Sequence, residues 1–357
     1  MTNTHSNIAV IGAGIMGLSV TERLCRTHSV TLFEPNPLPA DNASWKAGGM
    51  LAPYSEIDHM NMDWVALGLE GITFWQDFAT SHDIGFAQSG SLLIAHEQDR
   101  YIMERFAGYL PEEKRQYKTA SAVESLLCNS FGAGLVLEEE AHLDPHKTMK
   151  TIVELIKERG VIIEERETTP EQIRNDYDLI IDCRGYNADD KDLRGVKGEL
   201  ALVRNTEFSL SRPVRMMHPR YPLYIVPREN NVFMIGATMI ESGQSKVHVS
   251  VKSGLELLSA LYSLHKSFGD AELLEIAAGI RPAYTDNLPR IKKKGNVVSC
   301  NGLFRHGFLF APVMAETVEK LIANAPHQYM SLLSGESDEQ DDENQDQRGR
   351  TNVRSAA

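Results

Sequence analysis

Four cysteines are all the thiols in this 357-residue chain: Cys25, Cys128, Cys183 and Cys300, with no CxxC pair and no metal-ligand spacing. That scarcity excludes a disulfide framework and fits reduced, buried side chains in a cytosolic setting. No run of eighteen apolar residues occurs, so no membrane-spanning helix is expected. Positive charge is in deficit too, with a formal net charge of −13. This argues against charge-driven binding to nucleic acid or to an anionic membrane. Seven acids between residues 336 and 346, set against Arg348, Arg350 and Arg354, give the tail −4 and leave −9 for the body. The apolar stretch "NIAVIGAGIMGLSV" has no basic region ahead of it and so does not read as a signal peptide. A soluble, cytoplasmic protein is expected.

Hydrophobic residues at 42% and charged residues at 24% are an ordinary globular balance, and the length allows two domains. "NIAVIGAG" reads as a buried strand, Ile15 to about Arg26 as a helix and "SVTLFEP" as a second strand, which together make a βαβ unit. Residues 60–80 and 97–110 have helical apolar spacing, with "SGSLLIAH" between them as a strand. In "LDPHKTMKTIVELIKERGVIIEE", Asp144 is the N-cap, Pro145 the first helical residue and Gly160 the stop. "YDLIIDCRG" is a buried strand that ends on glycine. From residue 196 the pattern changes to strands separated by turns: "GELALVRN", "YPLYIVPR" and "NVFMIGATM", with "REN" as the hairpin turn. "SGLELLSALYSLHKSF" is a helix, and "NVVSCNG" and "FAPVMAETVEKLIANA" supply a last strand and helix. The fold class is α/β. Residues 1–85, 135–195 and 296–333 form a nucleotide-binding domain with a parallel central sheet. Residues 86–134 and 196–295 form an inserted, mostly antiparallel sheet domain, and 334–357 is a disordered acidic tail.

Gly12, Gly14 and Gly17 place G-x-G-x-x-G between strand and helix, and Glu34 ends the second strand. Such a turn lets backbone approach a pyrophosphate at a helix N-terminus, while the acid accepts from a ribose. The motif alone does not separate NAD from FAD. Ser44, Gly48 and Gly49 lie where the chain leaving the second strand would pass the diphosphate, and small residues permit close approach. Met50 reads equally well as core. "LYIVPR" and "VFMIGATM" put Tyr224 and Met239 on adjacent strands. Taken alone, Tyr224 is a packed aromatic, and His218, Arg220 and Arg228 are solvated or structural. In "CNGLFRHGFLFAP", Gly302 and Gly307 straddle Arg305 and His306 ahead of the last helix. His306 by itself reads as structural. In "EIAAGIRPAYTDNLPRI", Arg281 follows an apolar run and precedes Pro282, so a strand would hold its guanidinium at buried surface, where it needs an anion.

These stretches, with "VKGEL", occur in order over residues 7 to about 325. In that order the chain resembles the D-amino-acid oxidase/glycine oxidase family of FAD-dependent oxidoreductases, most closely its glycine oxidase members of thiamine biosynthesis. The resemblance implies a Rossmann-like FAD-binding domain and a substrate domain, with non-covalent FAD. Gly12, Ala13, Gly14, Ile15, Met16, Gly17 and Glu34 would hold the ADP half. Ser44, Gly48, Gly49, Met50 and Gly185 would follow the diphosphate and ring. Arg305, His306, Gly307 and Phe308 would approach the pyrimidine side, with Arg281 also at the cofactor. Arg281 matches the arginine that pairs with the substrate carboxylate, and Tyr224 the tyrosine that assists it. Met50, Met239 and Arg305 would shape the pocket. The sequence departs from the family's pattern at Cys183-Arg184 ahead of Gly185, in a short link before that strand, and at Pro222.

The implied reaction is oxidative deamination of glycine, or of another small amine, to glyoxylate, ammonia and H₂O₂. A hydride passes to flavin N5, O₂ is the acceptor, and the imine either hydrolyses to glyoxylate and ammonia or passes to thiazole synthase. A homo-oligomer is expected, and no metal. Sarcosine or D-amino-acid oxidation with a different acceptor, an NAD-dependent dehydrogenase and a non-catalytic flavin-binding module are the other readings. An apoprotein without yellow colour would favour the dehydrogenase.

Overall fold

The computed structural model describes residues 6–127, 131–219, 223–241 and 247–334. Cys128, Arg220, Pro222 and the acidic tail from 335 onward lie outside the described residues. The strand Asn7–Ile11 is central in a six-stranded sheet, parallel to Ser29–Phe33 on one side and to Leu179–Asp182 on the other. Ile162–Glu164 and Val297–Asn301 extend the parallel array, and Arg290–Lys294 closes one edge antiparallel. Ile8, Ala9 and Val10 are fully buried, as a parallel strand covered on both faces requires. The helix Ile15–Leu24 packs on Gly307–Ile322 and Pro145–Glu158, and Met62–Ala79 packs on Gly307–Ile322.

Local chemistry accounts for these boundaries. Gly12 has φ +97° and donates its N–H to the Phe33 carbonyl at 2.8 Å, turning the chain from strand into helix. Asp144 caps the Pro145–Glu158 helix by accepting from the His146 and Lys147 N–H groups, and Gly160 ends that stretch at φ +76°.

The second sheet has nine strands, in the order Ile240–Glu241, Arg194–Arg204, Val232–Gly236, Leu223–Arg228, Val214–Met216, Ser91–Ile94, Ala133–Leu137 and Gln116–Thr119. Glu272–Ala283 pairs with Arg194–Arg204 off that path. All its pairings are antiparallel except that of Val214–Met216 with Ser91–Ile94. Two strands fall outside the expected domain bounds. Arg290–Lys294 pairs into the parallel sheet, and Ala133–Leu137 into the antiparallel one. The hairpin turn sits one residue later than "REN". Asn230 and Asn231 take φ of 59° and 55°, and the Val232 N–H closes onto the Glu229 carbonyl. Arg228 pairs with Val232 across this three-residue loop, and the two asparagines tolerate its left-handed positions. No helix among the described residues is long and apolar enough to cross a membrane.

Candidate active site

A cavity of about 550 Å³ lies beyond the C-terminal ends of the parallel strands, against the antiparallel sheet. The helices Ile15–Leu24 and Gly307–Ile322 both begin at its wall, and neither has a side-chain cap. Their first-turn N–H groups are therefore a natural complement to anionic or polar ligand atoms. The glycine turn is tight enough to test residue by residue. A Cβ on Gly17 would stand 1.8 Å from the Gly12 carbonyl oxygen, and one on Gly12 2.6 Å from that of Cys183. Glu34 accepts from the Ala13 N–H at 3.0 Å and from the Asn36 side-chain amide at 3.0 Å, which fixes its carboxylate beside the turn. Ser44 Oγ accepts from the Ile15 N–H at 2.9 Å. Asn42 braces the same loop by accepting from the Ser44 N–H and donating to the Ala13 carbonyl. Gly49, at φ +75°, would with a Cβ meet the Leu143 carbonyl at 2.1 Å. The loop's position is held from behind by Arg228, which donates to the Ala47 carbonyl and pairs with Asp144 at 3.4 Å. With its side chain 9% exposed, Arg228 is a buried structural group and not a solvated one.

The other end of the cavity is crowded with charge. Arg281 sits near the end of the twelve-residue strand Glu272–Ala283, opposite Val196. Two positions back along the strand, Gly279 faces Gly198, and neither has a side chain. The guanidinium lies in the lane this leaves: a Cβ on Gly198 would fall 2.1 Å from Arg281 Nη2. Nη1 donates to the Thr238 carbonyl at 3.1 Å, and among the described residues no carboxylate forms an ion pair with Arg281. Burial, then the nearby Arg305 charge, push its pKa down to about 10, with Glu56 pulling the other way. A cation held down in this way is stabilised by an arriving anion.

Tyr224, on Leu223–Arg228, has the guanidinium groups of Arg215 and Arg305 each 5.4 Å from its ring centroid. Its hydroxyl donates to Glu56 Oε1, and Arg305 Nη2 pairs with the same oxygen at 3.0 Å. Arg215 is 4% exposed and donates to the Ser55 carbonyl. Burial would raise the Glu56 pKa, but the charges of Arg305 and Arg215, aided by Tyr224, outweigh it and hold the carboxyl near 2. Behind this group, burial raises Glu140 to about 7 although it accepts from both the N–H and the hydroxyl of Ser55. Burial also lowers His306 to about 4, so its imidazole is neutral at pH 7.

The cavity wall brings together Gly12, Ala13, Gly14, Ile15, Met16, Glu34, Ser44, Gly48, Gly49, Met50 and Gly185 along one side. Tyr224, Arg281, Arg305, His306, Gly307 and Phe308 lie along the other. Gly17 does not line it but packs under the turn, as its role in helix–strand contact requires. Met239 is corrected. The neighbouring strand ends at Gly236, which lies opposite Tyr224, so Met239 falls beyond it, 49% exposed and outside the wall, touching Arg305. Met234 takes the inward place. Sequence reasoning also passed over Glu56, Arg215 and Gly198. Glu56 was within reach, as the one acid in "ASWKAGGMLAPYSE". Gly198→Ala is expected to push the Arg281 guanidinium aside and weaken acetate binding roughly 10- to 100-fold, the scale of a lost charged hydrogen bond. Titration of purified protein with acetate, alongside a melting curve close to the parent's, checks this.

The family model described as DAO, FAD dependent oxidoreductase, matches residues 7–321. A Rhizobium etli protein named as a thiamine biosynthesis oxidoreductase, ThiO, is 38% identical over 317 residues, covering 88% of this chain and 95% of that protein. The bifunctional protein ThiO/ThiG of Synechocystis is 24% identical over 351 residues, 89% of this chain and 52% of that one. The crystal structure of glycine oxidase from Geobacillus kaustophilus superposes with a TM-score of 0.80 at 21% identity, over 92% of this chain and 98% of that one.

Proposed function

The chain belongs to the DAO family of FAD-dependent oxidoreductases, and from that footing we propose that it deaminates glycine oxidatively, or another small amino acid. The cofactor is FAD, and the cradle fits it: glycines wherever backbone must come close, Glu34 beside the turn, and two uncapped helix starts. Bound flavin supplies a two-electron acceptor that O₂ can reoxidise. For glycine the balance is glycine, water and O₂ in, and glyoxylate, ammonia and H₂O₂ out.

The observation that carries this reading is Arg281, a half-buried guanidinium that lines the cavity with no carboxylate paired to it among the described residues. Arg–carboxylate pairing is directional, so it would fix the α-carbon as well as hold the molecule. Positioning of that kind supplies much of a rate enhancement without a side-chain base. The site agrees: His306 is neutral and deeply buried, and Glu56 is too weak a base to take a proton at pH 7. Tyr224 has its proton engaged with Glu56, so the carboxylate takes its donors from Arg281 unless that hydroxyl turns away. The names of the Rhizobium etli and Synechocystis relatives support a product hand-off to a thiazole-forming partner. A peroxide-coupled panel of glycine, sarcosine, D-alanine and D-proline tests the proposal. Glycine is expected to give the highest kcat/KM and to bleach the flavin without oxygen. A flavin left oxidised by all four would overturn it.

A further inference from the structure

Resting on that reading, we infer that Glu56 is the amine-recognising group of the site, its Oε2 accepting an N–H of the bound amino acid while Arg281 holds the carboxylate. Glu56 follows the cofactor loop, lines the cavity and is 5% exposed. Its two oxygens are used unequally. Oε1 takes both the Tyr224 hydroxyl and Arg305 Nη2, whereas Oε2 is buried and has no hydrogen-bond partner among the described residues. A buried acceptor without a donor costs about 1–3 kcal/mol, more when it is charged, so this atom calls for a donor that arrives from the cavity. The carboxyl is ionised at any working pH, which suits it to an ammonium or an amine N–H and bars it from a second anion. Glu56 is also close enough to Arg281 to act on its titration. The cavity thus sets Arg281 and Glu56 together before a ligand whose own amine and carboxylate are a single carbon apart. Tyr224 and Arg305 clamp Oε1 from two directions, so the carboxylate is held in place before the amine comes. This arrangement selects, for oxidation, α-amino acids whose neutral amine still carries an N–H, over amine-free carboxylates and over tertiary amines such as N,N-dimethylglycine.

The test uses the purified flavoprotein and the variants Glu56→Gln and Glu56→Asp. Flavin absorbance is titrated anaerobically with acetate, which is glycine's carboxylate without an amine, and turnover is followed with glycine, sarcosine and N,N-dimethylglycine. In Glu56→Gln, acetate affinity is expected to stay within about 3-fold of the parent while glycine kcat/KM falls by about 30-fold, the scale of a lost charged hydrogen bond. The preference for glycine over N,N-dimethylglycine should shrink in step, and Glu56→Asp should recover part of both. Equal losses for acetate and glycine would reduce Glu56 to a support for Arg305 and Tyr224. No change in either would assign Oε2 to a bound water. Both results overturn the inference while leaving the proposed oxidation intact. A parent enzyme that turns over no amino acid in the panel would remove both together.

Discussion

Arg281→Ala is expected to lower kcat/KM for glycine by about 10³-fold, close to 4 kcal/mol of transition-state stabilisation, with FAD retained. The size follows from what is lost. The guanidinium lies deep, takes one backbone carbonyl and has no ion-pair partner among the described residues, so the charge it offers is available to a ligand. On the proposed reading, truncation would remove a charge-assisted contact to the substrate carboxylate. Because the same contact orients the α-carbon, kcat should fall along with affinity. Steady-state kinetics with peroxide detection, beside a flavin-content measurement, read the two effects apart. Unchanged turnover would dismantle the proposed chemistry.

Gly17→Ala is expected to yield protein without bound FAD and with a melting temperature at least several degrees lower. The added methyl would sit 1.8 Å from the Gly12 carbonyl oxygen and 3.3 Å from the Cys183 Cβ. Neither neighbour is the end of a flexible side chain, so the helix must back away from the strand. The phosphate-facing turn then opens with it. Overpacking of this kind costs about 1–3 kcal/mol in the fold alone. The absorbance ratio of flavin to protein after gel filtration gives the cofactor content. Parent-like yellow protein would show that the turn yields more easily than its contacts indicate.

Much of the cofactor half was legible because its signals are local. The glycine triplet, Glu34 and the Asp144-Pro145 cap each work within a few residues of where they are read. Arg281 was legible for a different reason, a charge at the end of an apolar strand. The rest depends on contacts between distant stretches. Glu56 and Tyr224 are 168 positions apart, and Arg215 and Ser55 are 160 apart, so no window on the chain contains either pair. Gly198 acquires its meaning only once the Glu272–Ala283 strand lies beside it. Met239 was misplaced because strand-like composition runs through the break between Gly236 and Ile240, where no pairing occurs. The Arg290–Lys294 strand was assigned across the wrong boundary for a related reason. Alternation along a strand reports which face is buried, not which sheet receives the edge.

The strand that carries Arg281 stays in the antiparallel sheet to its last residue, and there it gains a second partner. Ala283 bridges to Leu303, and the Phe304 N–H donates to the Pro282 carbonyl at 2.9 Å. Pro282, the residue after Arg281, is thereby tied to the segment that leads into Arg305 and the start of the last helix. On the proposed reading, the groups that hold substrate and cofactor share this main-chain tie, so their separation would be set by backbone and not by the reach of two side chains. Remodelling the pocket walls would then change which molecule enters, while the spacing between donor carbon and acceptor ring stayed with that splice.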